Sequence, residues 1–420
     1  MDSQTLSSKR RFVHNLASLL GGEGAHRVSR LLSIMLIARA LGVEEYGTMV
    51  FVGLCHETFR SLSRLAGGSL IIQCRDDDLK WMCENAGALN WGLALVTVIL
   101  QCTLAELIAV YFEQPSVAFL LQVLSISHLL YPLVMVRVNL LHRHQALKKF
   151  ALLSTLCVVV EDLSCALVAI YTENAWCVVV AKISSALLWC VLFYRYTEHD
   201  YPVKFDISHS LRLLKTSSRV FVSEICKQLR SSCDVFIAAR VLGPEAFGLY
   251  SFARNAAIGI AQSLGNAYIH ALYPHLTKLV QARQAGKGLL NAYGFALLIS
   301  SLFFIQSLAA EFYVPLLFGE KWQAASTLVA LLCFASVAIL LLDTSLLFQR
   351  CLSRFTRELI IQASVLIGLC ASLLYSDVRT ADEFARTFVL SLAFLSIMVM
   401  SSSAISLLTL RHLGGRYEYE

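Results

Sequence analysis

Two ten-residue stretches of the chain nearly repeat each other: ARALGVEEYG at 38–47 and ARVLGPEAFG at 239–248. At an offset of 201 residues, six of the ten positions are identical. The same offset places Glu23 over Glu224 without a gap. The repeat predicts a chain made of two related halves, and each half is expected to contain the same pair of helices around this motif.

The residues within the motif are typical of a turn between two helices. Gly42 and Gly243 suit the position just after a helix, where the backbone φ is often positive. Glu44 and Glu245 follow in the first turn of the next helix, where the helix dipole favours a negative charge. The motif is therefore expected to connect helices and not to bind a ligand.

The composition identifies a membrane protein. Hydrophobic residues make up 57% of the 420 residues, charged residues only 15%, and the mean hydropathy is +0.64. A soluble chain of this length lacks the polar surface to cover so much apolar side chain. The thirteen cysteines show neither CxxC nor Cys/His metal spacing, so we expect no metal site and no cofactor. Nucleic acid is not an expected partner.

The apolar runs predict twelve membrane spans, because a spanning helix needs about 20 mostly apolar residues. Seven runs lack charges: 86–105, 116–136, 255–277, 288–310, 322–342, 359–376 and 387–410. Five more contain charges: 12–40, 45–73, 150–172, 175–194 and 218–241. The connections between them are short, so no soluble domain is expected within the chain.

The loop charges predict the orientation. With the N-terminus in the cytoplasm, twenty-one Lys and Arg residues fall on the cytoplasmic side, and only Lys321 and Arg379 fall on the other. This asymmetry follows the positive-inside rule and places both termini in the cytoplasm. Six spans per half then predict two six-helix bundles, 1–200 and 201–420. Because each half has an even number of spans, both halves have the same orientation in the membrane. We therefore expect a pseudo-twofold axis along the membrane normal to relate them, as in many transporters.

Charged residues inside the predicted spans indicate a hydrated cavity, because a charge facing lipid is costly. Ten cations and six anions lie within the spans, an excess of four positive charges that favours an anionic ligand. The cations expected to line the cavity are Arg27, Arg30, Arg60, Lys227, Arg230 and Arg254. The carboxylates that are candidates for ion coupling are Glu23, Glu224, Asp234, Glu161 and Asp162. The alternative is that Glu23–Arg27 and Arg230–Asp234 are ion pairs that hold helices in place.

The two copies of the motif, each between an apolar helix and a polar-studded one, resemble the polysaccharide-transport branch of the MOP (MATE-like) exporter superfamily. This branch contains the Wzx-type O-antigen and exopolysaccharide flippases, and twelve spans fit it. The resemblance implies an all-α MATE-like fold in a bacterial inner membrane. It also implies an anionic lipid-linked oligosaccharide as substrate, carried on undecaprenyl pyrophosphate from the cytoplasmic to the periplasmic leaflet. Membrane lipids and the polysaccharide polymerase machinery are the implied partners.

Other functions fit the sequence less well. A multidrug or metabolite antiporter of the same fold should have a less cationic cavity. An oligosaccharide polymerase or ligase generally needs a large periplasmic loop, and the outer loops here are short. The chain contains no catalytic motif of the P-loop, HExxH or nucleophile-elbow type, so no catalytic residue is expected.

Overall fold

A computed structural model of the chain describes residues 29–66, 71–72, 74–144, 146–197, 201, 204, 207–282, 284–376, 378 and 380–412. All regular secondary structure in these ranges is helical, which confirms the all-α polytopic fold class. The α-helices are α1 (29–40), α2 (Val43–Arg60), α3 (Leu79–Tyr111), α4 (Ser116–Ser125), α5 (Pro132–Arg143), α6 (Leu147–Thr172), α7 (Trp176–Tyr196), α8 (Ile207–Val241), α9 (Pro244–Arg254), α10 (Ile260–Gln281), α11 (Ala285–Phe318), α12 (Ser326–Cys351), α13 (Phe355–Tyr375) and α14 (Ala381–His412).

Eight predicted spans coincide with helices that are long and apolar enough to cross a membrane. Seven are single segments in the described part of the chain, and the eighth is a bent pair of helices. The other four predicted spans, 12–40, 45–73, 218–241 and 255–277, are not in this group, and most of 12–40 lies outside the described residues. They are the first two predicted spans of each half, which hold most of the polar and charged positions. The total of twelve spans stays a prediction.

The bent pair corresponds to the predicted span 116–136. A helical segment from Ser116 to Leu129 is followed by α5, which begins at Pro132 and is inclined to it by 55°. Proline has no N–H to donate and its ring clashes with the preceding turn, so it breaks a helix but suits the first position of a new one. The sequence predicted one uninterrupted span here, and Pro132 explains the difference.

The repeated motif has the same local structure in both copies, but the expected positive φ at its glycines is wrong. Gly42 has φ −63° and Gly243 has φ −64°, and ψ is near 160° at both, so each is extended and precedes the next helix. The expected acidic residues do lie in the first turns of α2 and α9. Tyr46 and Phe247 take equivalent positions and are both buried.

The chain divides into two compact units, one ending at Val222 and the other beginning at Ser223. The predicted boundary was between residues 200 and 201, and this division lies within α8. The connection between the predicted spans 175–194 and 218–241 is partly helical, because α8 already begins at Ile207. In the second unit α12 packs against both α11 and α14. It belongs to the apolar segment with the largest share of buried residues, 61% against 28–44% for the six other segments. Its polar residues therefore lie inside the unit.

Candidate functional site

A polar cavity in the second unit lies among α8, α10, α12 and α13. Three cations line it: Lys227 and Arg230 from α8, and Arg350 from α12. Asp343 and Glu358 line it as well, so the five charged side chains carry a net charge of +1. The cavity encloses about 50 Å³, and about 400 Å³ when the open space at its mouth is included. It can therefore hold several water molecules or a small anion.

Arg230 lies at the buried side of this cavity. Its Nη2 is 2.7 Å from Oδ1 of Asp343, and its side chain is 5% exposed against 25% for Asp343. Its Nε is buried and has no hydrogen-bond partner among the residues that the structure describes. The guanidinium is thus held in place by one carboxylate while part of its donor capacity is unused. An unused buried donor is costly, so a ligand or a water that accepts from it would be stabilising.

Arg350 is held by a bidentate ion pair. Its Nη2 and Nε lie 2.6 and 3.0 Å from the two carboxylate oxygens of Glu358. The amide of Gln362 donates to the same carboxylate at 3.1 Å. Glu358 is buried whereas Arg350 is 38% exposed, and Lys227 is exposed as well. The cavity therefore has two accessible cations in addition to the buried Arg230.

Asp234 and Arg254 form a separate buried pair. Arg254 donates through Nε to Oδ2 of Asp234 at 2.5 Å and through Nη2 to Oδ1 at 3.2 Å. Tyr250 donates to Oδ2 at 2.8 Å, and Nη2 of Arg254 also donates to the carbonyl of Ser231. Asp234 is only 1% exposed. These bonds join α8 to α9, and neither charge lines the cavity that contains Arg230.

The alternative helix-internal pair Arg230–Asp234 is not the one that the structure shows. Asp234 pairs with Arg254, which is 20 positions away, and Arg230 pairs with Asp343, which is 113 positions away. Both arginines use partners on other helices, so the i, i+4 spacing on α8 was misleading.

In the first unit, four charges form a cluster around Lys182. Its Nζ is 2.7 Å from Oε1 of Glu57 and 2.9 Å from Oε1 of Glu161, so it joins α7 to α2 and α6. Arg60 lies 3.2 Å from the same oxygen of Glu57, and its guanidinium stacks 4.5 Å above the ring of Tyr131. The two cations and two anions balance. Arg60 also lines a second cavity, of about 130 Å³.

The remaining predicted residues are dispersed. Glu23 and Arg27 lie outside the described residues. Arg30 is described and is exposed on α1, Glu224 is half-buried on α8, and Asp162 is buried on α6. Of the six predicted cations, Lys227 and Arg230 line the cavity of the second unit, and Arg60 lines the other cavity.

Three charged residues of the second-unit cavity were not among the predicted site residues. The predicted span 322–342 ended just before Asp343, and Arg350 and Glu358 fell between this span and the next one, 359–376. Asp343 and Arg350 are seven residues apart, so they share one face of α12. That spacing was a usable signal. Together, the three missed residues carry a net charge of −1, which lowers the predicted excess of positive charge from four to three.

Comparison with known proteins gives a family and three related proteins. The family described as "Polysaccharide biosynthesis protein" matches residues 36–327. The succinoglycan biosynthesis transport protein ExoT of Rhizobium meliloti is 25% identical over 72% of this chain and 62% of its own length. The lipopolysaccharide biosynthesis protein WzxC of Escherichia coli is 22% identical, also over 72% of this chain and 62% of its own length. The teichuronic acid biosynthesis protein TuaB of Bacillus subtilis is 22% identical over 66% of this chain and 58% of its own length. The chain thus spans about three fifths of the length of these relatives.

Two solved structures show the fold. An inward-facing multidrug resistance MATE family transporter of the MOP superfamily is similar at a TM-score of 0.70 and 13% identity, over 92% of this chain and 96% of its own. The lipid II flippase MurJ, in an inward closed conformation, is similar at a TM-score of 0.69 and 13% identity, over 95% of this chain and 93% of its own. The expected MATE-like fold is therefore confirmed, and the chain is a multi-pass membrane protein.

Proposed function

Because this chain belongs to the polysaccharide biosynthesis protein family, we propose that it is a flippase for lipid-linked oligosaccharides. It moves undecaprenyl-pyrophosphate-linked repeat units from the cytoplasmic to the periplasmic leaflet of a bacterial inner membrane by alternating access. It forms and breaks no covalent bond. The names of ExoT, a transport protein, and of MurJ, a lipid flippase with the same fold, support this proposal.

The observation that carries the proposal is the cationic cavity of the second unit. A pyrophosphate group presents several oxygens with delocalised negative charge, and guanidinium groups bind such oxygens with two parallel hydrogen bonds. Arg230 has an unused buried Nε, while Arg350 and Lys227 are accessible at the same cavity. We assign the pyrophosphate of the substrate to these three cations.

The two carboxylates of the cavity hold its arginines in position and reduce its net positive charge. Asp343 and Glu358 hold Arg230 and Arg350 in place before substrate arrives, which avoids the cost of ordering flexible side chains on binding. They also partly offset the positive charge, so the pyrophosphate is bound less tightly than it would be by arginines without carboxylate partners. Moderate affinity suits a transporter, because the same group must be released on the other side.

The other charged residues have separate proposed roles. Arg254 and Asp234 neutralise each other in a buried clamp, and we give them a structural role. Glu161 and Asp162 of the first unit retain a proposed role in ion coupling. A multidrug antiporter shares the fold, but cations in the cavity would repel organic cations. The polysaccharide polymerase machinery would receive the translocated units.

Deletion of the gene tests this function in cells. Surface polysaccharide should be lost, and lipid-linked repeat units should accumulate on the cytoplasmic side because their assembly does not need this protein. The measurement is extraction of the lipid-linked glycans and analysis of their length by mass spectrometry. Truncated repeat units in the deletion strain would instead indicate a lost sugar-transfer step, and the proposal would be rejected.

The orientation is part of the same proposal, with both termini in the cytoplasm. Single cysteines placed on a cysteine-free background within 197–210 should react with a membrane-impermeant maleimide only when the cytoplasmic face is accessible. Cysteines within 42–45 and 376–382 should react from outside intact cells. Labelling of 197–210 from outside would reverse the orientation.

A further inference from the structure

The first unit contains a cavity that differs in chemistry from the cationic one. It encloses about 130 Å³, or about 670 Å³ when the open space at its mouth is included, and residues of α2, α3, α5, α6, α7 and the bend before α5 line it. A cavity of about 150 Å³ is known to accommodate one benzene ring, so this space matches a single six-membered ring.

One wall of this cavity is aromatic. Trp189 and Phe150 both line it, with ring centroids 6.2 Å apart. Phe193 stacks on Trp189 at 4.3 Å, so the indole is fixed in place and only its other face or its edge remains for a ligand. A fixed aromatic face offers apolar contact at little entropic cost, which suits the C–H face of a sugar ring.

A polar stripe on α3 also lines the cavity. Asn90 and Thr97 are seven residues apart, so they lie on one helix face, and both line the cavity. Asn90 donates through Nδ2 to the carbonyl of Ala86 at 2.8 Å, and Thr97 donates through its hydroxyl to the carbonyl of Leu93 at 2.7 Å. Each side-chain oxygen is left as an acceptor. An apolar ligand would leave both acceptors without a donor, whereas sugar hydroxyls can donate to them.

The charge of this cavity is balanced, in contrast to the second unit. Arg60 is the charged residue of the wall, and Glu57 lies 3.2 Å from its guanidinium. Lys182 and Glu161 complete a cluster of two cations and two anions. A neutral polar ligand fits this environment better than a phosphate or an organic cation.

We propose that the cavity lined by Asn90, Thr97 and Trp189 binds one neutral sugar residue of the transported glycan. The identity of that sugar as part of the substrate rests on the proposed flippase function. The binding itself is a property of the first unit and needs neither pyrophosphate nor transport.

The test is binding of soluble glycan to the full-length protein in detergent micelles. The probe is the set of oligosaccharides obtained by partial acid hydrolysis of the surface polysaccharide of the producing strain. Saturation-transfer NMR should detect binding to the wild-type protein. Trp189→Leu should weaken binding by about tenfold, and Thr97→Val by about fivefold through loss of one hydrogen bond. Trp189→Phe keeps an aromatic ring and should retain most of the binding.

Thr103 provides a matched control on the same helix. Its hydroxyl donates to the carbonyl of Ile99 at 2.8 Å, as that of Thr97 does to Leu93, but its side chain is exposed. Thr103→Val should bind glycan as the wild type does. The proposal is overturned if the wild type shows no saturation transfer, or if Thr97→Val and Thr103→Val have the same effect. If glycan binds but reconstituted protein moves no lipid-linked units, the flippase function fails and the sugar site stands.

Discussion

Replacement of Arg230 by alanine is expected to lower the transport of lipid-linked oligosaccharide by about 10- to 100-fold, the range that corresponds to one lost hydrogen bond with a charged group. The change removes the buried guanidinium whose Nε has no partner among the described residues. It also leaves Asp343 in the cavity without its cation, so a negative charge would then oppose the pyrophosphate. The measurement is the rate of leaflet transfer at matched amounts of folded protein.

The partner residue separates substrate binding from a purely structural ion pair. If Arg230 binds substrate, the double variant Arg230→Ala/Asp343→Asn should stay slow although its charges are balanced again. Arg230→Lys should recover part of the rate, because lysine restores the charge but not the paired donors. If the pair only holds α8 against α12, the double variant should regain wild-type transport and abundance. That recovery would remove Arg230 from the proposed site.

Replacement of Asp234 by alanine is expected to cost about 3–5 kcal/mol of stability, because it leaves the charge of Arg254 largely buried without its partner. This is a large part of the 5–15 kcal/mol or so that stabilises a typical folded protein. Folded protein in the membrane should therefore fall sharply. The measurement is the monodisperse fraction after detergent extraction, together with the midpoint of thermal unfolding.

Two controls accompany the Asp234 variant. Tyr250→Phe removes one hydrogen bond to the same carboxylate and leaves the ion pair intact, so it should cost only about 0.5–1.5 kcal/mol. Asp234→Asn/Arg254→Gln replaces both charges with amides and should recover much of the lost abundance. Normal abundance of Asp234→Ala combined with loss of transport would contradict the clamp and return Asp234 to the candidates for ion coupling.

The sequence was most informative where periodicity and composition alone decide the structure. Long apolar runs predicted eight segments that are apolar helices or a bent pair in the structure, because a helix in lipid must satisfy its own backbone and be apolar over its length. The repeated motif correctly predicted equivalent helix starts at Val43 and Pro244. It did not predict the φ of Gly42, since glycine is used both before and after helices.

The pairing of charges could not be read from the sequence. Spacing along α8 favoured Arg230 with Asp234, and only packing brings Arg230 to Asp343 on the central helix of the second unit. Asp343 was overlooked because it stands at the end of an apolar run, although the surrounding helix continues to Cys351. Partners on different helices depend on how those helices pack, and a single sequence does not determine that.

The most direct measurement of the central claim is leaflet transfer in vesicles that contain only the purified protein. Lipid-linked repeat units with a labelled sugar are supplied, and their exposure on each face is followed with a membrane-impermeant glycosidase. The wild type should make the protected units accessible much faster than protein-free vesicles do, with no change in glycan length before cleavage, and Arg230→Ala should approach the protein-free rate. Equal rates with and without the wild-type protein, or formation of longer glycans, would contradict the account.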